Sequence, residues 1–116
     1  MLTDTRKINI LGTDVTVEFR KEADDEKLKD FLGYYDSSKD LIVVKVPDAD
    51  KHSLGDLERS QKHTLRHEII HAFLHESGLD WSSGSVDAWA TNEEMVDWFA
   101  IQAPKIFKVF KEQELI

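Results

Sequence analysis

The sequence predicts an α+β domain, a small and mainly antiparallel sheet packed on a central helix and a C-terminal helix. Three observations predict it. Period-two alternation is confined to the first half of the chain, helical spacing of apolar positions to the second, and no internal repeat or low-complexity stretch interrupts either. At 116 residues the chain fits one domain, 1–116.

Residues 7–19 read as a hairpin, with Ile8, Ile10, Val15 and Val17 alternating with polar residues about the turn signal Gly12-Thr13-Asp14. The highly charged stretch 20–29 is expected as an exposed connector or short helix. Gly33-Tyr34-Tyr35 and residues 41–46 are expected as two further strands, joined by the polar turn Asp36-Ser37-Ser38-Lys39. Pro47 and Asp48 end the second of them. Residues 53–77 contain no proline, and Leu65, Ile69, Ala72 and Phe73 recur at helical spacing, with Gly78 as the stop. Residues 79–85 are expected as a loop. A last helix is expected to begin near Thr91 or Asn92, both good N-caps, and to bend or restart at Pro104. Its apolar run after the first turn predicts burial. Trp81, Trp89 and Trp98 are candidates for an interface, with core packing or loop anchoring the favoured expectation.

The formal net charge is −8, with acidic residues spread along the chain. Nucleic-acid binders gather Lys and Arg on one face, so no such partner is expected. Cysteine is absent, which rules out disulfides and thiolate sites and leaves any metal to His and carboxylates. No apolar run approaches the roughly 20 residues that span a bilayer, so no membrane association is expected and the cytoplasm is the expected location.

The chemistry concentrates in His67-Glu68-Ile69-Ile70-His71, an HExxH on a predicted helix. Imidazoles four residues apart lie on one face, one turn apart, and can reach one ion. Neutral imidazole suits Zn2+, whose catalytic sites keep a position open for water and lower that water's pKa to roughly 7. Glu68, about 100° round the helix from His67, is placed to act as general base without ligating. With 5 His and 10 Glu in 116 residues, chance yields one such motif in about 2% of chains, so context must decide against an ordinary polar helix face.

The context favours the metal. His67, His71 and His75 share one stripe, where a solvated face would more usually carry Lys and Glu. His75 cannot be the third ligand, because eight residues separate it from His67, about 12 Å along an unbroken helix. It is left as a pocket wall, a substrate or oxyanion contact, or an ordinary histidine. On the last helix Glu93 and Asp97 stand four apart, and a buried carboxylate needs a cation or donors to offset its desolvation. Glu93 is therefore assigned as third ligand, with Glu94 the competing candidate, and Asp97 as acceptor for a ligand imidazole N–H. Helix-dipole stabilisation of solvated carboxylates is the alternative, and it suits Glu94 better than Asp97. Tyr34 and Tyr35 are further candidates for oxyanion contact, with core or edge packing as the other role.

With these residues in hand, the chain resembles the zincin metallopeptidases whose third ligand is glutamate, the gluzincins, through Asn92-Glu93-x-x-x-Asp97. It is more closely similar to the small ImmA/IrrE-like peptidases, especially short phage or prophage proteins of that type. That likeness runs through residues 67–75, HEIIHAFLH, and through Glu93-x-x-x-Asp97-x-Phe99-Ala100 followed by Pro104. It departs at Met95-Val96, where the usual pair is acidic–alanine. The resemblance implies one zinc ion on two His and one Glu, with Glu68 as base. It also implies an extended peptide lying on a sheet edge beside the helix, for which residues 41–46 are the candidate strand. The implied substrate is a peptide or protein, such as a regulatory protein, met in the host cytoplasm if the chain is phage-encoded. The rival expectation is a zincin-fold binding module with a structural metal and no turnover.

Overall fold

Apolar alternation in the first half of the chain becomes four strands, and the two longest helical patterns become two helices, in a computed structural model that describes residues 1–48, 54–80 and 91–116, without the side chains of 109 and 110. The strands are β1 (Arg6–Ile10), β2 (Thr13–Arg20), β3 (Gly33–Asp36) and β4 (Leu41–Lys45); the helices are α1 (Leu54–Glu76) and α2 (Glu93–Glu112). The expected α+β class is the observed one. Trp81 and Trp89, and most of the loop expected at 79–85, lie outside the described residues.

The first hairpin closes on the pair Ile10 and Thr13, so its turn is Leu11-Gly12, slightly ahead of the expected Gly12-Thr13-Asp14. Both turn residues have positive φ, 52° and 97°, the conformation that matches the twist of a two-residue connection. The charged stretch forms two short 3₁₀ turns, Glu22–Asp24 and Glu26–Lys29, and the second buries Leu28 completely. These turns lie over one sheet face: Asp25 and Arg20 both bond the Tyr34 hydroxyl, and Lys27 Nζ stands 4.7 Å from the Tyr34 ring centre.

The strand order is β1-β2-β4-β3, with β2 and β4 parallel and the other two pairings antiparallel. This corrects the edge-strand expectation. Residues 41–46 are not an edge, because β4 sits between β2 and β3. Ile42, Val43 and Val44 are all fully buried, which an unbroken apolar run covered on both faces requires. The free edge on this side of the sheet belongs to β3. Lys45 N–H donates to the Leu32 carbonyl, so by ladder alternation Gly33 and Tyr35 turn their N–H and C=O groups outward.

α1 lies on the opposite face. Ile10, Val15, Val17, Ile42 and Val44 form one core cluster with Leu65 and Ala72 of α1. The buried stripe of α1 runs Leu57, Gln61, Leu65, Glu68, Ala72, at helical spacing. Gln61 uses its buried amide to hold the N-terminal segment, accepting from Leu2 N–H at 2.7 Å and donating to Leu2 carbonyl at 2.9 Å. Gly78, at φ 82°, ends the helix, and Leu79 N–H reaches back to the Leu74 carbonyl. Phe73, expected on the apolar stripe, is 44% exposed.

Gly33 fixes how closely β3 approaches α1. A Cβ there would stand 2.6 Å from Thr64 Cγ2 and 2.8 Å from the Val43 carbonyl oxygen, and the latter is backbone that cannot swing away. Gly33→Ala is expected to cost about 1–3 kcal/mol in urea unfolding through this overpacking. An unchanged midpoint would refute the close fit.

Asn92 caps α2 by accepting Met95 N–H at 2.8 Å. Of the two expected effects of Pro104, a restart does not occur: the helix runs on through it. Pro104 has no N–H, so the Ala100 carbonyl loses its usual helical donor; Arg66 Nε of α1 takes that place at 2.7 Å. Nor is α2 wholly buried. Val96 and Ala100 are, whereas Trp98, Phe99, Ile101 and Phe107 are exposed, so Trp98 is not core as expected. No helix among the described residues is long and apolar enough to cross a membrane.

Candidate metal centre

α1 and α2 run antiparallel, and the polar seam between them gathers the predicted residues. His67 and His71, one turn apart, bring their Nε2 atoms within 3.2 Å of each other. Glu93, from the first turn of α2, sets Oε1 2.8 Å from His71 Nε2 and Oε2 3.3 Å from His67 Nε2. Two ligands on a tetrahedral ion with bonds of about 2.1 Å stand about 3.4 Å apart. The imidazole pair, and each imidazole with one of the two Glu93 oxygens, thus stand near that separation, and their nitrogen and oxygen chemistry suits a divalent cation. Glu93 and Glu94 are both exposed on the first turn of α2, and of the two it is Glu93 that stands within 3.3 Å of both imidazoles.

Asp97, one turn along α2 from Glu93, accepts from His67 Nδ1 at 3.0 Å. That bond puts the His67 proton on Nδ1 and leaves Nε2 bare toward Glu93 and His71. The bond from His63, then that from His67, holds the Asp97 carboxyl below its ordinary range against the opposing effect of burial.

Glu68 differs from every other acid here. It sits on the core-facing stripe of α1 at 6% exposure, with Oε1 4.0 Å from His67 Nε2. Burial pushes its carboxyl up to about 7; His67 opposes that rise and the Glu93 charge adds to it. His71 moves down, chiefly through burial, which favours the neutral imidazole that a metal requires. His67, Glu68 and His71 offer ligand-type atoms that all lie within 4.8 Å of one another. Glu93 nevertheless stands nearer both imidazoles than Glu68 does, which fits Glu68 for proton transfer rather than ligation.

The raised Glu68 carboxyl has a consequence for the metal-free protein. A folded-state pKa of about 7, above the ordinary 4.5, gives stability that is full below pH 4.5 and lost as pH rises through 7. Between pH 5 and pH 8 in the presence of chelator, wild type is expected to lose about 2.5 kcal/mol relative to Glu68→Gln in urea unfolding. A difference that does not change with pH would contradict the buried, protonated Glu68.

A cavity of about 410 Å³ opens onto this seam, lined by Gly33, His63, His67, Glu68, Glu93 and Asp97, with Phe31 and Leu32 at its sheet-side wall. The three candidate oxyanion contacts do not line it. Tyr34 is committed to Asp25 and Arg20. The Tyr35 hydroxyl is buried, and its ring meets His75 edge-on at 6.0 Å. His75 Nδ1 is held by Asp80 at 2.7 Å, beyond the metal pair along α1. One residue escaped the sequence reading: His63 lines the cavity and contacts Asp97 at 2.9 Å. Its signal was available, since it precedes His67 by one more helical turn. Comparison with family models, with curated proteins and with solved structures returns no match.

Proposed function

We propose that the chain is a zinc-dependent peptidase of the ImmA/IrrE-like gluzincin type, acting in the cytoplasm on a peptide or protein. The observation that carries this reading is a buried carboxyl, Glu68, beside two imidazoles and a second acid, Glu93, that stand close to ligand spacing. A structural metal site has no need of such a base, and it usually fills all four positions with protein ligands.

His67, His71 and Glu93 would hold the zinc ion, which would supply Lewis-acid polarisation of a carbonyl and a bound water whose pKa is lowered to about 7. Glu68 takes the proton of the attacking water and later delivers it to the leaving amine, a double role open to a carboxyl whose own pKa is near 7. Asp97 keeps the His67 proton on Nδ1. The outward-facing backbone of Gly33 and Tyr35 can pair with an extended substrate, and Gly33 sets that strand against the cavity wall.

The test is zinc titration by chelator competition, followed by cleavage of a peptide library with and without added zinc. The expected result is one zinc per chain and cleavage that chelator abolishes. A chain that binds no zinc at micromolar concentration near neutral pH would end the reading. The second reading, a zincin-like binding module, is favoured by an apolar groove of about 550 Å³ on the outer side of the helix pair, where Ile70, Phe73, Phe99 and Phe107 converge. One bound zinc without cleavage of any library member would select it.

A further inference from the structure

We propose that His63 is a positioning residue of the metal centre: through one oxygen of Asp97, which it shares with His67, it fixes which ring nitrogen of His67 faces the cavity. This rests on the metal-centre reading above and extends it to a residue outside the HExxH motif.

His63 Nε2 stands 2.9 Å and His67 Nδ1 3.0 Å from the same atom, Asp97 Oδ1. A carboxylate oxygen accepts two hydrogen bonds, so both of its sites are filled by donors from successive turns of α1. The Asp97 side chain is 44% exposed, and with His67 as its only donor it would be free to turn toward water. A second donor on the same oxygen removes that freedom, because swinging away would break two charge-assisted bonds at once. Only while Oδ1 stays in place does His67 keep its proton on Nδ1, with a lone pair on Nε2 toward His71 and Glu93. His63 Nε2 is committed to Asp97, and eight residues, about 12 Å along α1, separate His63 from His71, so the two cannot share one ion.

The experiment compares zinc dissociation constants, by chelator competition, for wild type, His63→Ala, His63→Gln and His71→Ala, and reads the His67 tautomer in the zinc-free proteins by imidazole 15N NMR. Loss of a partner that orients a metal ligand weakens binding by about 10–100-fold, the effect expected for His63→Ala, together with a mixed His67 tautomer. Gln carries an N–H donor at nearly the place of His Nε2, so His63→Gln is expected to restore both wild-type affinity and the single tautomer. A merely structural surface histidine would not separate Gln from Ala. Should His63→Ala not fold, His63→Asn keeps a polar helix surface while drawing the donor back, and is expected to behave as the weak binder. Wild-type affinity in His63→Ala or His63→Asn, or a His63→Gln no better than either, overturns the proposal. Such a result beside a wild type that binds zinc and a His71→Ala that does not would leave the metal-centre reading standing. Absence of zinc binding in wild type overturns both.

Discussion

Glu68→Gln is expected to keep its zinc within about threefold of wild-type affinity and to lose about 10²–10⁴-fold in peptide cleavage rate, the usual contribution of a positioned general base. Gln fills the same buried volume and keeps a polar group beside His67, so the core cluster with Leu65 and Ala72 survives. What disappears is the capacity to take a proton. Retention of wild-type rate in a zinc-loaded Glu68→Gln would remove Glu68 from the mechanism, and with it the reason to prefer an enzyme over a binding module. The substitution also separates two properties of one side chain, since the variant is expected to be the more stable of the pair at pH 8 without metal.

His71→Ala is expected to cost more than 100-fold in zinc affinity, since loss of an orienting partner alone costs about 10–100-fold. Zinc at 1,000 times the dissociation constant stabilises a folded protein by about 4 kcal/mol, and a thermal melt in zinc should show that gain in wild type and none in the variant. His71 is well suited to this test because its Nε2 contacts both His67 and Glu93. An equal zinc-dependent rise in both proteins would mean that the ion binds somewhere else.

Much of this architecture could be read from local pattern. Strands 1–4 and the long helix follow from alternation, turn residues and the absence of proline, and the pairing of His67 with His71 follows from helical geometry alone. Long-range pairing could not be read that way. Nothing in the periodicity of residues 41–46 says that β2, more than twenty residues earlier, will lie parallel beside them. The unbroken run Leu41-Ile42-Val43-Val44 did carry a usable sign of double-sided burial, and it contradicted the edge role. The proximity of Glu93 and Asp97 to the imidazoles is legible in the need of a buried acid for an offset to its desolvation, although Glu93 is an exposed side chain. His63 lies one turn before the HExxH motif, which by itself gives it no role. The exposure of Phe99 and Phe107 was missed because apolar composition does not tell how much neighbouring chain is present to cover it.

Among the described residues the last strand of the sheet ends at Lys45, before any of the helix that covers it begins. During synthesis the four strands therefore leave the ribosome first, carrying Ile10, Val15, Val17, Ile42 and Val44 as an open apolar face. A two-layer domain cannot hold such a face in water on its own, so nascent strands must wait for Leu65 and Ala72 to arrive before they become stable. The same helix that closes the core carries His67, Glu68 and His71, which ties the birth of the metal centre to the step that completes the fold.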